Sequence, residues 1–202
     1  MGVREGDVSS GGLSKAVIFL GAFLVFIVQP MVGRTLLPFF GGMATVWVTC
    51  LATFQALLLF GYFYAHVMAG KSNWLYRIHV GLLVAAAVWM AWFIAANPTG
   101  LPVPAGRGIA PPVSVVIAVL AMVGGPYVLL SANSSLVQVL AGGGRSQTNR
   151  TGDVYHLYAV SNAGALAGLV CYPFLAEPFF SLAAQWAGFA LLTAVYAGLL
   201  WR

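Results

Sequence analysis

The chain has 202 residues, of which 61% are hydrophobic and only 6% charged; nine basic side chains against four acidic ones give a formal net charge of +5. Soluble domains carry about 25% charged residues, so a water-soluble globular protein is excluded. The apolar residues also come in long blocks, which identifies a polytopic membrane protein.

A bilayer core of about 30 Å takes about 20 helical residues to cross. Six stretches qualify: Ala16–Gly33, Ala44–Met68, Ile78–Ala96, Val113–Leu140, Tyr155–Leu175 and Leu182–Trp201, none of which contains Lys, Arg, Asp or Glu. They are too long and continuous for the short alternating strands of a membrane barrel. The expected fold is all-α: a short tail over residues 1–15, then one six-helix transmembrane domain over residues 16–202.

In chain order, the first stretch raises a question at "FIVQPMVGRTLLPFFGG" (Phe26–Gly42). Gln29, Pro30 and Arg34 place an amide, a helix breaker and a fixed charge where an apolar helix should continue, so this helix is expected to kink or end there. The second stretch carries Cys50 and ends near His66; Cys171 lies in the fifth. Buried free cysteines behave as small hydrophobes, and neither a disulfide nor a metal site is expected.

The loop after the third stretch, "NPTGLPVPAGRGIAPP" (97–112), is rich in Pro and Gly and should be extended and irregular. The fourth stretch is interrupted at "GGPY" (Gly124–Tyr127). Paired interruptions in the first and fourth helices are the pattern of inverted repeats built from two halves of three helices.

The loop at 141–153, "AGGGRSQTNRTGD", follows a membrane helix rather than a strand and lacks Lys-Ser/Thr, so its glycines read as a linker and not a phosphate loop. With six spans, Arg4, Lys15, Lys71, Arg77, Arg145, Arg150 and Arg202 share one side, and Arg34 and Arg107 the other. Basic residues favour the cytoplasmic side, so both termini are expected there. That bias accounts for the net charge without a nucleic-acid partner.

Four groups of residues ask for a reason. Arg34 and Glu177 lie at matching depths toward the outer ends of the first and fifth helices, and a charge pair between them is expected to be structural. His66, Asn133, Gln138, Ser161 and Asn162 fall toward the cytoplasmic half, where a polar vestibule would give them partners. The three histidines, His66, His79 and His156, share a membrane face but lack the short paired spacing of a metal site. Gly164 and Gly168 in the fifth helix, and Ala190, Ala194 and Gly198 in the sixth, follow the small-xxx-small spacing that lets helices approach closely. The fifth and sixth helices are therefore expected to pack on each other or on a partner chain.

The stretch Leu24–His66, with its QP…GR…LP.FGG pattern, resembles the first two membrane helices of bacterial fused transporter/spermidine synthase-like proteins. "PYVLLSANSSLVQVL" and "YHLYAVSNAGALAGLVCYPFLAEP", the latter with its LYA.SN.G…YP.L.EP pattern, resemble a later helix pair of the same family. The resemblance implies a multi-pass protein of the bacterial cytoplasmic membrane. Family members commonly add a cytoplasmic aminopropyltransferase-like domain. This chain holds only Glu5, Asp7, Asp153 and Glu177 as acids, and reaches Arg202 directly after the sixth helix. Aminopropyl transfer by this chain alone is not expected, nor is a cofactor.

The expected function is a non-catalytic membrane module that anchors or regulates a synthase-like domain or partner. The alternatives are an accessory subunit of a larger membrane complex, docked through the fifth and sixth helices, and a transporter of small solutes, polyamines included. Against polyamine transport stands the lack of carboxylates to compensate a polycation away from water.

Overall fold

The computed structural model describes residues 5–68, 73–96, 110–143 and 150–201. Among these residues no strand occurs, and six helical spans are long and apolar enough to cross a membrane. Only closed barrels and helices satisfy every backbone group within lipid, and a chain without alternating strands is left with helices. It is a multi-pass membrane protein.

The first span lies in α1 (Glu5–Phe40), which runs through both Pro30 and Pro38. Its end therefore falls beyond the expected Gly33, and Arg34 sits within the helix instead of following it. A proline removes one hydrogen bond, whereas ending the helix in lipid would expose several backbone groups at once. The helix stops at Gly41, whose φ of 71° places it in the left-handed region. Its N–H reaches back to the Leu37 carbonyl at 2.8 Å, the αL cap that glycine adopts without strain. The short turn then reverses the chain into α2 (Ala44–Met68).

The third span is α3 (Asn73–Ala96). The fourth comprises α4 (Pro111–Val119), a π turn at Leu120–Gly124 and α5 (Gly125–Gly143). The fifth comprises α6 (Arg150–Cys171), a second π turn at Tyr172–Ala176 and the short α7 (Glu177–Phe179), and the sixth is α8 (Leu182–Trp201). Both π turns occupy the same position ahead of a proline, Pro126 and Pro178. The missing N–H and the ring disturb the hydrogen-bond ladder there, and a wider turn takes up the mismatch. These irregularities thus lie in the fourth and fifth spans, whereas a pairing of the first and fourth was expected.

Helix α1 is the axis of the bundle. It packs most extensively on α6 and also meets α5, α8, α2 and α4, while α3 pairs with α8 and α2 with α5. In the most apolar part of the first span 56% of residues are buried, against 17% in the fifth. The core runs along α1 through Ile18, Leu24, Val28, Val32 and Leu36 and is closed by Phe54, Tyr127, Leu130 and Tyr196.

Candidate functional site

The buried polar side chains form three layers along α1. At the end where α1 begins, Asn133 of α5 donates from Nδ2 to the Tyr196 hydroxyl of α8 at 2.9 Å, both residues fully buried. Gly21 makes this possible: a Cβ there would lie 2.5 Å from the Tyr196 oxygen. Beside this pair, His79 of α3 is fully buried, with Nδ1 3.3 Å from the Tyr64 hydroxyl of α2 and its ring in stacked contact with Tyr64 and with Tyr76. Gly61 of α2 leaves room for Ser131 of α5, whose hydroxyl donates to the Val128 carbonyl at 3.0 Å. His79 Nε2 and Asn133 Oδ1 are buried and keep hydrogen-bonding capacity that no group among the described residues uses.

Eight residues beyond Gly21, about 12 Å along the helix, Gln29 forms the middle layer. Its Nε2 donates to the Tyr127 hydroxyl at 3.0 Å and to the Val25 carbonyl at 3.3 Å. The Tyr127 ring packs against Phe54 with centroids 5.0 Å apart. The amide in "VQP" is thus a tie between the first and fourth spans.

At the far end, Arg34 Nη1 donates to Glu177 Oε1 at 2.6 Å, joining the first and fifth spans. One residue on, Thr35 donates to the Met31 carbonyl at 2.8 Å and accepts from the Trp186 indole of α8 at 3.2 Å. Gln185 donates to the carbonyls of Ala176 and Phe180, at 3.1 and 2.9 Å, in the stretch between the second π turn and α8. These carbonyls lie at the exit of α7, where carbonyls run out of intrahelical donors, and the side chain supplies N–H groups there beside the Phe180 N–H that Ala176 also accepts.

Among the described residues, the expected vestibule set is not brought together. Asn133 is buried in the first layer, but His66 and Asn162 lie exposed on the outside of α2 and α6, and Ser161 is half-buried. Helical geometry explains the split, since residues two apart point about 200° away from each other. Tyr64 faces inward, so His66 faces out; Gly164 faces α1, so Asn162 faces away. The side chain of Gln138 lies outside the described residues.

The small residues also serve other contacts than those expected. Gly164 and Gly168 face the backbone of α1 at Phe19 and Phe23, and a Cβ on Gly168 would lie 2.6 Å from the Phe23 carbonyl oxygen. Ala190 and Ala194 face α3 across a groove, and a Cβ on Gly198 would meet nothing within 4 Å. The fifth helix is clasped to the first and the sixth to the third, because the chain inserts α1 between them. Small-xxx-small spacing shows where a helix can be approached closely, and not by which neighbour.

Sequence reasoning missed Tyr196, Tyr127, Tyr64 and Trp186, which supply the other half of most interhelical bonds. Gly21 and Gly61 carried the available signal, being glycines within apolar helices where a neighbour's polar side chain enters. Among the described residues, no three His, Cys, Asp or Glu side chains come close enough to share a metal ion. Chemically the three layers tie helices together, with unused hydrogen-bonding capacity in the first and, at Gln185 Oε1, in the third.

Comparison with family models, curated proteins and solved structures finds no match.

Proposed function

We propose that this chain is a non-catalytic membrane module, similar to the membrane part of spermidine synthase-like proteins, that anchors or regulates a soluble synthase-like domain or partner at the bilayer. One observation carries the reading. Two of the three stretches that bear the resemblance, Leu24–His66 and Tyr155–Pro178, supply Arg34 and Glu177, which meet at 2.6 Å, and the latter supplies the glycines that face α1. The motif residues thus act as helix ties, which suits a scaffold more than a catalyst or a carrier. The proposed location is a bacterial cytoplasmic membrane with both termini inside, as the loop charges favour.

Purification of the tagged chain from its native membranes in mild detergent, followed by intact-mass analysis, tests this. The expected result is a stoichiometric synthase-like domain, either on a separate chain or fused in a longer parent. A lone 21.3 kDa species that drives solute uptake in proteoliposomes would refute the module and favour transport. Co-purification with a large membrane assembly lacking any synthase-like protein would refute it in favour of an accessory subunit.

A further inference from the structure

Val84, Val88 and Ala91 of α3 and Ala187, Leu191 and Ala194 of α8 line an apolar groove of about 460 Å³ on the outside of the bundle. That volume falls within the range of roughly 300–1,000 Å³ typical of small-molecule sites. Two helical stripes form its walls, and each continues toward the same end of the bundle. On α3 the stripe 84, 88, 91 reaches back seven residues to Arg77; on α8 the stripe 194, 191, 187 reaches forward seven to Trp201. Seven residues are two turns, so Arg77 and Trp201 stand about 10 Å beyond the groove on the same face. They also meet each other: the Arg77 guanidinium carbon lies 5.8 Å from the centre of the Trp201 ring. Both side chains are exposed.

We propose that this face is a binding site for a phospholipid with an anionic head group. The acyl chain lies in the groove between α3 and α8, and the phosphate is held by Arg77 beside Trp201. The apolar walls offer nothing to orient a polar solute, and alanines leave space where larger side chains would close the two helices. A guanidinium beside an indole can still offer N–H groups to a phosphate oxygen, the acceptor that arginine matches in bidentate geometry. Tryptophan prefers head-group depth. A helix from a second copy could also enter the groove, but the pairing of an arginine with a tryptophan at its end matches an anionic head group at head-group depth and selects the lipid. This inference is independent of the proposed function.

The test is native mass spectrometry of the full chain, purified in detergent and equilibrated with equal amounts of phosphatidylglycerol and phosphatidylcholine of matched chains. The expected result is retention of one phosphatidylglycerol about fivefold over phosphatidylcholine, the effect of one basic side chain near an anionic head group. Arg77→Gln should abolish the preference and Arg77→Lys should keep most of it. Ala194→Phe should lower retention of both lipids. Arg77 and Ala194 are exposed, so these changes remove no core contact, and unchanged thermal melting verifies the fold. An undiminished preference in Arg77→Gln, or undiminished retention in Ala194→Phe, would overturn the site. So would a dimer that Ala194→Phe dissociates without changing lipid retention, which would assign the groove to a second copy.

Discussion

Replacing Gly168 or Gly164 by alanine tests how the bundle is held, because helix propensity and packing predict opposite signs. In an open helical position glycine to alanine stabilises by about 1 kcal/mol. Here the new methyl would face the backbone of α1. On Gly168 it would stand 2.6 Å from the Phe23 carbonyl oxygen and 3.1 Å from the Ile27 nitrogen, and on Gly164 it would press on the Phe19 carbonyl. A carbon and a carbonyl oxygen come to rest at about 3.3 Å or more, so α1 and α6 must part by about 0.7 Å at this point. A backbone group cannot swing aside as a side chain does. A gap of 0.5–1 Å forfeits about a quarter to a half of the dispersion energy of each atom pair it opens, and overpacking of this kind costs about 1–3 kcal/mol. The net expectation is a loss of about 0–2 kcal/mol for each variant after the propensity gain. Gly188→Ala is the internal reference, since a Cβ there meets nothing within 4 Å and should be neutral or stabilising. Thermal unfolding in one detergent, followed by circular dichroism or a thiol-reactive dye, measures all three. If Gly164→Ala and Gly168→Ala melt with or above Gly188→Ala, the close α1–α6 approach is refuted.

Further predictions concern the polar layers. Glu177→Gln or Arg34→Gln should cost at most about 1 kcal/mol, because the pair is substantially exposed, at 36% and 47%, and such pairs contribute about 0–1 kcal/mol; a loss of several kcal/mol by melting would show a tighter site. Tyr196→Phe should destabilise by about 1–3 kcal/mol, since it leaves the buried Asn133 amide without its hydroxyl partner; an unchanged melting point would contradict this bond. For Gln29 and Tyr127, a double-mutant cycle with Gln29→Leu and Tyr127→Phe should return a coupling near the 0.6 kcal/mol average for interhelical hydrogen bonds in membranes. A coupling of zero would remove Gln29 from the list of ties.

Several features of this protein follow from sequence alone because they rest on local quantities. Six long uncharged blocks determine six helices, since lipid leaves the backbone no other open-chain solution, and the structure has six such spans. The depths of Arg34 and Glu177 could likewise be read by counting along each helix at 1.5 Å per residue, and the two groups do meet. Depth is a property of one helix at a time. Which face of a helix meets which neighbour is not. Glycines at 164 and 168 mark a flat face, but only the tertiary structure decides that α1 fills it. Asn133, His66 and Asn162 share a depth, yet rotation about each helix axis sends the first into the core and the other two outward. The same distinction governs the prolines. Pro30 and Pro126 look alike in sequence, but one lies within an α-helix without a π turn and the other follows one. In a membrane every helix is apolar all round, so hydrophobic patterning no longer distinguishes inside from outside. Steric fit and a few hydrogen bonds decide the arrangement, and both are relations between helices.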